Sequence, residues 1–173
     1  MMKKQQFENV KLGLFISLIV ILFGFSLGGI FGLYEDSIKE SLNKKASSVL
    51  ETVYQNNEDT LDHIVDKSWE YMKLSHTHAM GLGPIALVLI ILLSFMEARP
   101  VLKYLTSMML ALGALGYSLF WMLAAFKAPI TGNTEITKES LSYIAKPSAG
   151  LCLIGIIILI MIVLSKFLKK PSR

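Results

Sequence analysis

The stretch AMGLGPIALVLIILLSFM, from Ala79 to Met96, is followed by EARP (97–100) and then by VLKYLTSMMLALGALGYSLFWMLAAF, from Val101 to Phe126. Each apolar run is near the ~20 residues needed to cross a ~30 Å hydrocarbon core. The short charged turn between them reads as a return at the membrane surface. Working outward, Leu12 to Leu33 and Ser148 to Leu168 repeat the pattern. These four stretches explain why hydrophobic residues reach 53% and charged residues only 17%, where a soluble domain carries roughly 25% charged. The expected fold is an all-α membrane protein with four transmembrane helices and an extracytoplasmic helical hairpin between spans one and two. A soluble enzyme, a secreted disulfide scaffold and a nucleic-acid-binding domain are excluded.

The net charge of +4 partitions by side. Residues 1–11, the turn between spans two and three, and the tail hold Lys3, Lys4, Lys11, Arg99, Lys103, Lys166, Lys169, Lys170 and Arg173. Only Glu8 and Glu97 oppose those nine cations, giving +7, while the two other loops carry eight lysines against eleven acids, giving −3. An excess of Lys and Arg marks cytoplasmic loops. Both termini are therefore expected in the cytoplasm, and the chain in a bacterial inner membrane. The first apolar run is too long for the 7–15-residue core of a signal peptide, and no small-x-small cleavage pattern follows. It is read as a retained span.

The chain then divides into residues 1–33 (head and span one), 34–78 (hairpin), 79–126 (spans two and three), 127–147 (outer loop) and 148–173 (span four and basic tail). Gly24, Gly28 and Gly32 recur every four residues in span one, a face that lets helices approach closely. In the hairpin, Ile38, Leu42, Val49, Val53, Leu61, Ile64 and Trp69 trace a helical stripe. Asn56, Asn57 and Glu58 interrupt it, and Asp59 or Thr60 is the expected cap of the next helix. A segment this short has no core of its own, so the stripe must pack on its own second half or on another subunit. The outer loop is expected to carry a short helical stretch around Lys138 to Ile144.

All three histidines, His63, His76 and His78, fall within sixteen residues. His76 shares a helical face with Met72 and Met80, and His78 points about 200° away. Histidine and methionine are ligands of haem iron and copper. Gly81 and Gly83 remove side chains just below the pair, leaving room for a flat macrocycle. Haem b is the leading cofactor expected, with copper or another transition metal on His76, His78 and Met80 as the alternative. His63, Met72, Met80, Met108, Met109 and Met122 are the candidates to complete a ligand set. Two bis-histidine haems need four histidines, so one chain does not hold that arrangement. The competing reading makes the histidines interfacial polar residues.

Asp59, His63, Asp66 and Glu70 share one face at four-, three- and four-residue spacing, with Lys67 close by, and read as a solvated helix face. The spans contain no ionisable residue at mid-depth, which argues against a pump or ion-coupled transporter. Tyr117 and Trp121 read as belt or packing residues rather than quinone-site residues. Cys152, the sole cysteine, reads as a small hydrophobe.

The stretch KSWEYMKLSHTHAMGLG (67–83), together with GYSLFWMLA (116–124) and PSAG (147–150), resembles an uncharacterised group of small four-span bacterial inner-membrane proteins. That resemblance implies an architecture and no activity. The His-x-His pair is also similar to haem-bearing membrane proteins of respiratory chains, though without their further histidines. The function expected is a small membrane redox or sensing protein, working in the lipid bilayer as a homo-oligomer or beside a larger periplasmic or respiratory complex. It is not expected to be an enzyme by itself, and no catalytic residue is assigned. The alternative is a cofactor-free accessory or scaffold subunit, and a metal-dependent membrane enzyme using the Asp59–Glu70 stripe ranks third.

Overall fold

The computed structural model describes residues 7–168. In chain order these form α1 (Lys11–Ser47), α2 (Leu50–Tyr54), α3 (Glu58–Phe95), α4 (Pro100–Thr131), α5 (Thr134–Ser140) and α6 (Ser142–Leu168). No strand occurs among the described residues. Four helices, α1, α3, α4 and α6, are long and apolar enough to cross a membrane. The chain is an all-α, multi-pass membrane protein. Of the residues in the charge count, Lys3, Lys4, Lys169, Lys170 and Arg173 lie outside the described residues.

Helix length dictates the hairpin. The 38 residues of α3 rise about 57 Å at ~1.5 Å each, nearly twice the ~30 Å hydrocarbon thickness. The 37 residues of α1 do almost the same. The surplus of both helices is the polar segment 34–78, with α2 at its tip. α1 leaves helical geometry at Tyr34 (φ −133°, ψ 23°), where the sequence turns from apolar to polar. The chain reverses at Gln55 and Asn56, both at positive φ, a region that Asn tolerates better than most residues. Asn57 then caps α3, its Oδ1 accepting the Thr60 N–H at 2.9 Å. The cap thus falls ahead of the expected Asp59 or Thr60, because Asn57 is the residue whose side chain reaches a free N–H of the first turn.

The apolar stripe of the hairpin closes on itself and on the adjoining end of α4. Leu42, Ala46, Leu61, Ile64 and Met72 share a core with Phe120, Ala124 and Ala128. Tyr54 at the tip donates its buried hydroxyl to the Pro129 carbonyl at 2.7 Å, satisfying an acceptor in the last turn of α4. Of the two partners open to the stripe, its own second half takes the place, with α4 beside it.

The outer loop is much shorter than the sequence implies. α4 continues through Pro129 to Thr131, and α6 begins at Ser142 with Pro147 inside it. Gly132, at φ +65°, ends α4 by donating its N–H to Ala128 O, and Asn133 caps α5 through the N–H groups of Glu135 and Ile136. A Cβ on Gly132 would collide with Val53. What reads as a loop is therefore one tight turn and the short helix α5.

A second core fills the membrane-spanning region, built from Val20, Ala86, Ile90, Leu110, Ala114 and Leu159. Glycines set its close approaches. A Cβ on Gly83 would lie 3.0 Å from Ile21 Cγ1, and one on Gly113 would lie 2.5 Å from Cys152 Sγ and 2.7 Å from Ser148 O. Ser75 donates across to Ser118 O at 2.8 Å, tying α3 to α4. At the opposite end from the hairpin, Lys103 reaches the Ser94 carbonyl at 2.9 Å and Lys166 pairs with Glu97 at 2.6 Å.

Because the contact at Gly113 involves backbone as well as a side chain, Gly113→Val should destabilise the α4–α6 packing by about 2 kcal/mol or more. Gly29→Ala, in open space, removes no contact. Maleimide labelling of Cys152 in detergent checks this: G113V should label faster than wild type, and G29A should not.

Candidate ligand groove at His78

α3 lies between α1 on one side and α4 on the other, so residues two apart on it meet different neighbours. His76 turns toward α1. Its Nδ1 hydrogen-bonds the Gly24 carbonyl at 2.8 Å, its ring meets Phe31 edge-on at 6.0 Å, and its Cε1 occupies the space a Cβ on Gly28 would need. Met80, one turn further, fills the corresponding space at Gly24. The glycine face of α1 is thus filled by His76 and Met80. Gly32 stands free of it, with nothing within 4 Å of a built Cβ, because a four-residue repeat drifts around a 3.6-residue helix.

His78 turns toward α4. Its Nδ1 lies 2.7 Å from the Leu74 carbonyl, so this nitrogen carries the proton and donates. Nε2 of the neutral ring is then an acceptor only. The imidazole stacks on Trp121 (5.9 Å, 17°) and meets Tyr117 edge-on at 4.9 Å. Trp121 also packs against Tyr71 and Phe120. Its buried Nε1–H is one of two buried side-chain polar atoms among the described residues without a partner, Thr106 Oγ1 being the other.

Beside this aromatic group runs a groove of about 360 Å³, lined by His78, Leu82, Tyr117, Ala149, Cys152, Leu153 and Ile156. α3 and α6 form its walls and α4 its floor. Leu153, 60% exposed, leaves the groove open toward the lipid side. Cys152 is drawn inward against Gly113.

The residues singled out in the sequence separate accordingly. His63 is exposed on the hairpin, and Met72 is buried in the hairpin core. Met108, Met109 and Met122 are half-buried on α4. Gly81 faces open space, and the space freed at Gly83 is taken by Val20 and Ile21. His76 and Met80 share the α1 face while His78 lies on the other, so these three do not converge on one ion. No group of three or more His, Cys, Asp or Glu that could hold a metal occurs among the described residues.

On the acidic stripe, Asp59, His63, Asp66 and Glu70 are all exposed. Lys67 hydrogen-bonds Glu70 at 2.8 Å, holding that carboxyl below the usual range and its own ammonium above it. The depressed carboxyl stabilises the fold above the ordinary carboxylate range and loses that contribution as pH falls, a small effect at so exposed a pair.

The residues that sequence reasoning passed over are Tyr117, Trp121, Ala149 and Cys152. Gly113, Tyr117 and Trp121 are spaced four apart, which marks one face of α4. Nothing local to His78 says that this face lies against it. No protein-family model, curated protein or solved structure matches the chain.

The two histidines should separate in stability measurements. His76→Ala removes an interhelical hydrogen bond and the filling of the Gly28 notch, a loss of about 1–3 kcal/mol. His63→Ala, at an exposed position, should stay within about 0.5 kcal/mol of wild type. Thermal unfolding in one detergent, followed by circular dichroism, compares them.

Proposed function

We propose that this chain is a small redox or sensing protein of the membrane and that His78 is its working group. The observation that carries this reading is the 2.7 Å hydrogen bond from His78 Nδ1 to the Leu74 carbonyl, which leaves Nε2 uncommitted on a residue that lines the α3–α6 groove. Metal-bound histidines characteristically give their other ring N–H to a carbonyl or carboxylate in this way. The charge partition orients the Glu97–Arg99 turn to the cytoplasm of a bacterial inner membrane, and the hairpin to the outer side. The groove then opens in the outer half of the bilayer.

Haem b is the first cofactor to consider for this nitrogen, and His78 would hold its iron. His63, Met72, His76 and Met80 are placed elsewhere, so any further ligand would come from another residue or from a partner chain. An open position suits sensing of a gas or redox state, and a partner's ligand suits electron transfer to a larger periplasmic or respiratory protein. A copper or other transition-metal ion would use the same nitrogen. The accessory or scaffold reading has its own support, since His76, Met72 and Met80 are all taken up in packing.

Optical spectra of the detergent-purified full chain, before and after dithionite and after addition of hemin, test the haem assignment. The expected result is a Soret band with reduced α and β bands that His78→Ala abolishes and His63→Ala leaves intact. A featureless spectrum, with no metal by elemental analysis, rejects haem and metal at His78.

A further inference from the structure

The donor and acceptor pattern at the groove narrows what enters it. We infer that the α3–α6 groove is a lateral binding site for the ring of a lipid-soluble hydroquinone, one phenolic O–H donating to His78 Nε2. This rests on the reading of His78 as the working group and gives it an organic occupant in place of a metal.

The argument begins with the proton on Nδ1. Leu74 O accepts that proton, so in the neutral tautomer Nε2 keeps a lone pair and no N–H, on a residue that lines the groove. An oxidised quinone presents only carbonyl acceptors and gains nothing from that lone pair, the Tyr117 O–H and Cys152 S–H being the donors in the lining. A hydroquinone presents O–H groups, and a phenolic O–H matches an imidazole acceptor. The remaining lining, Leu82, Ala149, Cys152, Leu153 and Ile156 around the Tyr117 ring, is apolar or weakly polar. That composition, with His78 and the Tyr117 hydroxyl as its polar groups, is what small-ligand sites use to fix orientation. The volume of about 360 Å³ lies within the range of roughly 300–1,000 Å³ typical of such sites. The exposed Leu153 rim places the opening where an isoprenoid tail would continue into lipid.

Equilibrium dialysis of the detergent-solubilised full chain tests this, at about pH 8, above the ordinary histidine range. The probes are tetramethylhydroquinone, its dimethyl ether and the corresponding quinone. Wild type should bind the hydroquinone roughly tenfold or more tightly than its dimethyl ether, the size expected for one lost hydrogen bond in a desolvated site, and more tightly than the quinone. His78→Phe keeps an aromatic ring and should reduce binding to the micelle background. Ala149→Phe, which fills the groove from the opposite wall and leaves His78 in place, should do the same. Equal binding of hydroquinone and dimethyl ether, or undiminished binding by either variant, overturns the inference. A His78-dependent haem spectrum without hydroquinone binding overturns it while leaving His78 as the working group. Loss of both signals overturns the two readings together.

Discussion

Apolar side chains gain little by leaving lipid for the interior of a bundle, so close contact between small residues has to hold these helices together. Gly83 lets α1 lie against α3, and Gly113 lets α6 lie against α4. The resulting order, with α3 and α4 shared between neighbours, fixes everything above it. It decides that α1 must notch His76 and Met80, and that α6 leaves a gap opposite α3. The polar tie from Ser75 to Ser118 works in the same region, where the absence of water removes the usual competitor for such a bond.

Two histidines two residues apart thereby acquire different surroundings. Both give Nδ1 to a backbone carbonyl, His76 across to Gly24 and His78 back to Leu74. His76 spends its ring on the α1 interface, against Phe31 and the Gly28 notch. His78 spends only one nitrogen and one ring face, on Leu74 and Trp121. A His-x-His pair on a helix is thus not a chelate when each residue faces its own neighbour. The 200° separation of the two side chains is enough to produce that outcome.

Much of this architecture is legible in the residues themselves. Four apolar runs and a polar segment with helical spacing require long helices that project from the bilayer, and α1 and α3 do so. The break at Asn56 and Asn57 is legible for the same reason, since those residues favour turns and caps. The near-absence of an outer loop is not legible, because Pro129 and Pro147 read as helix stops and only tertiary packing shows them inside α4 and α6. The site is legible by half. Histidine chemistry puts His63, His76 and His78 forward together, and helical geometry gives the direction of His78 relative to His76. That Tyr117, Trp121, Ala149 and Cys152 meet it depends on how α4 and α6 pack, which no local spacing encodes. The two glycines adjoining the histidines differ: Gly81 faces open space, while at Gly83 the space serves Val20 and Ile21.

The environment of Nε2 sharpens the choice between a packing residue and a binding residue. A structural histidine inside a bundle gains most when both nitrogens are satisfied by protein, since an unsatisfied polar atom away from water costs roughly 1–3 kcal/mol. His78 has its donor satisfied and lines the groove, and it stacks on Trp121, whose N–H is buried and unpartnered. Hydrocarbon tails filling that groove would leave the lone pair unmet, whereas a metal or a hydroxyl-bearing ring would meet it. The same reasoning sets His63 aside, because water satisfies it on the exposed hairpin. What separates His78 from His76, whose Nδ1 is likewise given to a carbonyl, is its place on the wall of an open groove rather than in the notch at Gly28.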